Sequence, residues 1–177
     1  MDALTSDLLS LLQNSCSSDL TLVCPDGEVQ VHRLMMSARS TVFSRLLNSD
    51  MEESSSGIVK IGDFKIDVVR AMVQYIYTAK IDDSFEDILN LMIIGDKYLI
   101  QSLVDECTTK LSDSLRESNV LVLGAAAEVY SVKALLDSCA QFVSENLDVL
   151  ESDWKDELNN SQVSDEYSGA FETCPCF

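Results

Sequence analysis

LTLVCPDGEVQVHRLMMSARSTVFSRLL, residues 20–47, is the stretch on which the fold turns. Its first half is strand chemistry. Leu20-Thr21-Leu22-Val23 is a β-rich run, Pro25-Asp26-Gly27 supplies a turn, and Glu28-Val29-Gln30-Val31 alternates polar and apolar like a half-buried strand. A hairpin is predicted over 19–31. The period then changes after His32, the only histidine of the chain. Leu34-Met35-Met36, and Val42-Phe43 with Leu46-Leu47, read as two short helices over 33–38 and 40–48, with Ser40 as N-cap of the second. The stretch runs out into a polar, acidic turn, Asp50-Met51-Glu52-Glu53. A methionine standing among charges is an adaptable apolar plug, and so a candidate docking point for a partner.

Working outward, Leu4, Leu8, Leu11 and Leu12 fall at the spacing of an amphipathic helix over 4–13. Such a leucine face must be buried, either on its own domain or on a second copy. Downstream, residues 49–57 form a polar loop and Ile58-Val59-Lys60-Ile61 a third strand. Ile66, Val69, Met72, Val73, Ile76 and Tyr77 make the stripe of a helix over 65–77, followed by an extended link, Thr78-Ala79-Lys80-Ile81. Ser84 is the expected cap of the next helix, with Asp87 at its third position, a face of Phe85, Ile88, Leu89 and Met92, and an end at Gly95-Asp96. A further helix is predicted over 98–111. Residues 118–129 and 131–147 read as an antiparallel helix pair, with a last short turn or helix around Trp154.

This order is α+β: a small three-stranded sheet covered by a helical cluster, then a short helical appendage. The expected division is 1–112, 113–158 and a disordered acidic tail over 159–177.

Composition excludes several functions. The apolar fraction of 46% supports a real core. A net charge of −18 with no basic cluster argues against nucleic-acid binding. No apolar run approaches the roughly 18 residues that span a bilayer, and Met1-Asp2-Ala3-Leu4 lacks the features of a secretory signal, so no membrane partner is expected and the location is nuclear, cytoplasmic or both. Six cysteines are present without a C-x-x-C pair, which points to reduced thiols and away from zinc; no metal or other cofactor is expected. No phosphate-binding, nucleophile-elbow or metalloprotease motif occurs, and His32 reads as a hydrogen-bonded core residue, so the chain is not expected to be an enzyme. Cys174-Pro175-Cys176-Phe177 has a cysteine at the prenylation position but lacks the aliphatic middle residues and a polybasic segment.

Ser18-Asp19-Leu20-Thr21-Leu22, Val29-Gln30-Val31-His32-Arg33 and Ala38-Arg39-Ser40-x-Val42-Phe43 together resemble the opening of a BTB/POZ domain. Tyr75-Ile76-Tyr77-Thr78-Ala79 and Asp96-Lys97-Tyr98 are similar to later segments of that family. Within it, Met51-Glu52-Glu53-Ser54 and Ser152-Asp153-Trp154-Lys155 resemble most the MATH–BTB group of the speckle-type POZ protein. No MATH domain, kelch repeat or zinc finger lies within these 177 residues. The resemblance implies a BTB fold over 1–112 and a BACK-like appendage over 113–158. It also implies a homodimer, or a pairing with other BTB proteins, and binding to the N-terminal region of cullin-3 as an adaptor bringing an unknown protein substrate to ubiquitination. Met51, Glu53 and Tyr98 would make the cullin contact, and Leu4, Leu8, Leu11 and Leu12 the dimer interface. The alternative is a dimerisation scaffold, or heterodimer partner of longer BTB adaptors, without ligase activity. Two positions depart from the family. Ser17 stands where an aromatic is common, which weakens the dimer's expected N-terminal contact. Ala79 stands where glycine is usual, so the turn there is expected not to need positive φ.

Overall fold

The computed structural model describes residues 3–14, 17–48, 55–82 and 86–146. Met51, Glu53, Ser84, Phe85, Cys16, Trp154 and the segment 159–177, with Cys174 and Cys176, lie outside the described residues. Leu20–Cys24 (β1) and Gly27–Val31 (β2) form the predicted hairpin, paired from Leu20↔Val31 to Cys24↔Gly27. Ile58–Lys60 (β3) pairs in parallel with the other side of β1, Leu22 opposite Val59, so the order is β2-β1-β3. Leu20, Leu22, Cys24, Val31 and Val59 turn to the buried face.

That face packs on helices. Ala3–Asn14 (α1) precedes the sheet, and Arg33–Arg39 (α2) and Thr41–Leu47 (α3) follow the hairpin. Ile66–Thr78 (α4) is the helix the others gather on: α1, α2, β2 and the next helix all pack against it. It buries Ile66, Val68, Val69, Met72, Val73, Tyr75, Ile76 and Tyr77. The hairpin turn is fastened to its start. Asp26 Oδ1 accepts from the Ile66 amide at 2.9 Å, and a Cβ on Gly27 would sit 3.2 Å from Ile66 Cγ1.

Ile88–Lys97 (α5) and Gln101–Asp113 (α6) form a hairpin against α4, and Val120–Val129 (α7) and Lys133–Glu145 (α8) form a second one joined to α6 through α8. Ser112 Oγ donates to Ser138 Oγ across that joint at 3.1 Å. One continuous apolar cluster runs from the sheet to Leu135 and Cys139 in α8.

Three local expectations are corrected. The cap of α5 is Asp87, whose carboxylate accepts from the Asn90 amide and side chain, so Asp87 precedes the helix instead of lying in its first turn. Gly95 does not end α5. It lies inside the helix because α6 approaches so closely that a Cβ would stand 3.2 Å from Leu103. Ala79 has φ 52 and donates its amide to Tyr75 O at 2.7 Å. It caps α4 in the left-handed region, so helix termination, not side-chain preference, sets its backbone.

His32 is buried and fully bonded. Its amide donates to Tyr77 Oη at 2.9 Å, its Nδ1 lies 2.7 Å from the same oxygen, and its Nε2 lies 3.2 Å from Ser17 Oγ. One hydrogen assignment uses every group: Tyr77 Oη accepts from the amide and donates to Nδ1, leaving Nε2–H to donate to Ser17 Oγ. Tyr77→Phe would leave a buried amide and a ring nitrogen without partners. It is expected to lower the unfolding free energy by about 1–3 kcal/mol in urea denaturation. A variant as stable as the parent chain would refute this account of the histidine.

Candidate protein-interaction site

The site begins with a serine. Ser40 stands between α2 and α3, where the extended backbone (φ −137°) ends one helix and starts the next. Its Oγ accepts from the Phe43 amide at 3.1 Å, the cap expected from sequence, and donates to the carbonyl of Tyr98 at 2.6 Å. Tyr98 is the C-cap of α5, far along the chain. Its ring lies flat on Phe43, with centroids 4.5 Å apart and planes 5° from parallel. Phe43 is fully enclosed and Tyr98 is 5% exposed. Burial, then the charges of Asp63 and Cys24, push the Tyr98 hydroxyl well above the usual phenol range, so it remains neutral. Lys97 completes the setting. Its ammonium pairs with Asp63 and lies 5.6 Å from the Phe64 ring centre and 5.8 Å from that of Tyr98.

Tyr98 therefore does not present its ring openly. It lies against the first turn of α3, the helix that leads into the segment carrying Met51 and Glu53. Leu99, beside it, is turned outward. It has φ 52, donates its amide to Asp96 O, and leaves its side chain 58% exposed. Reading Leu99 as part of a helical stripe over 98–111 missed this, because α6 starts only at Gln101. Lys97, a basic residue in the last turn of α5, was the available signal of a helix closing there.

The leucines of α1 divide. Leu8 and Leu12 pack against the core of the same chain, while Leu4 is 67% and Leu11 39% exposed. The inward face also takes buried Thr5 and half-buried Leu9. Thr5, Leu8, Leu9 and Leu12 have the i, i+3, i+4, i+7 spacing, a stripe hidden by counting leucines alone.

Buried thiols offer little reactivity. Burial pushes Cys107 up to about 12, with Glu106 adding to the effect and Lys110 opposing it, and burial raises Cys24 and Cys139 as well. Among the described residues, no three His, Cys, Asp or Glu side chains form a metal-holding group. No described helix is long and apolar enough to cross a membrane.

Around these buried junctions, Leu4, Leu11 and Leu99 leave apolar side chains turned outward. A family model for the BTB/POZ domain matches residues 8–115. The chain belongs to the BTB/POZ domain family, whose domains are protein–protein interaction and self-association modules. It is 33% identical over 122 residues to a BTB/POZ domain-containing protein of Arabidopsis thaliana, covering 69% of this chain and 50% of that one. It thus spans half the length of that curated relative. The solved BTB domain of zebrafish PATZ1 shares the fold, with a TM-score of 0.53 and 19% identity over 62% of this chain and 89% of the other.

Ser40→Ala removes the α3 cap and the support of the Tyr98 carbonyl together. A loss of about 1–3 kcal/mol is expected by chemical denaturation. An unchanged midpoint would mean that the junction is held by the Phe43–Tyr98 stack alone.

Proposed function

We propose that this chain is a dimeric adaptor whose BTB/POZ domain binds the N-terminal region of cullin-3 and delivers a protein substrate for ubiquitination. The substrate would be recruited through the BACK-like appendage over 113–158, the tail, or a heterodimer mate, in the nucleus or cytoplasm. One observation carries the reading. Ser40 and the Phe43–Tyr98 stack join the helix that leads into Met51-x-Glu53 to the tyrosine expected to share its groove. The similarity of Met51-Glu52-Glu53-Ser54 to the MATH–BTB group supports the same contact. Met51 supplies the apolar anchor and Glu53 the acceptor beside it. Tyr98 acts from below, through its stack on Phe43 in the first turn of α3. Titration calorimetry with the cullin-3 N-terminal region should give micromolar or tighter binding. Met51→Ala with Glu53→Ala should weaken it at least about tenfold, roughly 1.4 kcal/mol. Undiminished binding by the double variant would remove the site from these residues, and no binding by the parent chain would remove the function.

A second reading, a self-associating scaffold or heterodimer partner without ligase activity, is favoured by Leu4 and Leu11, which face away from the core. Those two leucines would meet a second BTB domain, while Leu8 and Leu12 hold α1 to its own. Leu4→Asp with Leu11→Asp should turn a sedimenting dimer into a folded monomer. A parent chain that is monomeric at tens of micromolar would exclude both the dimer and this use of α1.

A further inference from the structure

β3 is an edge strand, and its outer ladder is open. The Thr21 amide donates to the Gly57 carbonyl at 2.8 Å and the Ile61 amide to the Val23 carbonyl at 2.8 Å, with Thr21 opposite Ile58 and Val23 opposite Lys60. Bonding residues alternate along a strand of a parallel ladder, so Gly57, Val59 and Ile61 serve β1. Ile58 and Lys60 therefore turn their amides and carbonyls away from the sheet. The Ile58 amide donates to Ser56 Oγ at 3.2 Å. The Ile58 carbonyl, and the amide and carbonyl of Lys60, have no partner among the described residues. The side chains match this openness. Val59 is buried, while Ile58 is 44% exposed and Lys60 stands exposed on the same outer face of the sheet.

We propose that this edge pairs with β3 of a second copy, antiparallel, about a two-fold axis through Val59, joining two three-stranded sheets into one. The edge is complementary to itself in that arrangement. The axis sets Ile58 of one copy opposite Lys60 of the other. Each Lys60 amide then donates to an Ile58 carbonyl across the axis, and each Ile58 amide can leave Ser56 for the facing Lys60 carbonyl. A lysine on an edge strand ordinarily deters a foreign strand. Here the two lysines are offset and not opposed. The methylene stem of each lies along the facing Ile58 while its ammonium stays in water. A parallel, in-register meeting of the two edges would set Lys60 against Lys60. The contact is isologous, so it joins two copies and closes. It uses no residue of α1, so Leu4 and Leu11 remain available for a separate contact. Three residues a side make a small interface between two chains of −18 each, so pairing is weak at low salt and strengthens as salt screens the repulsion.

The Lys60 amide reports the pairing. In the full chain its hydrogen exchange, followed by NMR, should be fast when dilute and slow several-fold between tens of micromolar and about a millimolar, more so in added salt. The Ile61 amide, held by Val23, should stay protected throughout. Ile58→Lys keeps every backbone group but sets lysine against lysine, and should abolish the concentration dependence. Lys60→Pro removes only an outward amide at an edge position. It should leave the urea midpoint close to that of the parent chain and remove the species that sediments only at high concentration. A Lys60 amide that exchanges fast at every concentration would overturn the pairing and leave the edge to a strand of another protein. One that exchanges slowly even on dilution would overturn it by giving the edge to the chain itself. Protection that rises with concentration but persists in the Ile58→Lys variant would place the second copy elsewhere and overturn it too, as would a Lys60→Pro variant that keeps the high-concentration species.

Discussion

The contact between His32 and Tyr77 is the constraint on which the rest is arranged. It joins the last residue before α2 to the last turn of α4, two points far apart in the chain, through one hydroxyl bonded twice. Once that hydroxyl is seated, the sheet's exit has one position on the central helix. Asp26 fixes the other end of the hairpin on the first turn of the same helix. A hairpin pinned at both ends cannot slide by a residue, and a one-residue slip is what would turn Leu20, Leu22 and Val31 to the wrong face. The direction of α2 and α3 follows, and with it the place where Ser40 meets Tyr98.

What was legible in the chain was what is decided locally. The hairpin, the Ser40 cap and the core role of the single histidine follow from turn chemistry, hydroxyl capping and an apolar setting, and each is met. The misreadings are places where distant packing or helix termination overrides a residue's habit. Gly95 punctuates most chains, but here it makes room for Leu103. Ala79 disfavours positive φ, yet it closes α4 in the left-handed region, where its amide returns to the carbonyl of Tyr75. The candidate site was legible in its parts. Tyr98 could be singled out from its segment, but its burial under α3 depends on the α5–α6 hairpin, which no local pattern encodes. The split of the α1 leucines into inward and outward pairs depends in the same way on where α4 lies.

The surfaces then fall into a simple relation. The polar character of the chain, −18 overall, keeps most of its exterior solvated, and the apolar exceptions are few. Leu4 and Leu11 lie on α1, Leu99 beside the buried tyrosine, and Leu121, Val122 and Val129 on α7, while Leu34, Ile58 and Leu136 stand out singly on α2, β3 and α8. These lie on different elements, so no one apolar patch dominates the described surface.

The parallel pairing of β1 with β3 carries a kinetic consequence. Thr21 meets Ile58 only after the hairpin, α2, α3 and the segment beyond them have all been traversed. The β1–β2 hairpin closes through a two-residue turn and can form early, whereas β3 must wait until a long loop has been drawn shut against its entropy. During that wait the central strand has one ladder open. A newly made chain therefore passes through a stage in which β1 can accept a strand from elsewhere, and the three residues of β3 are what end it.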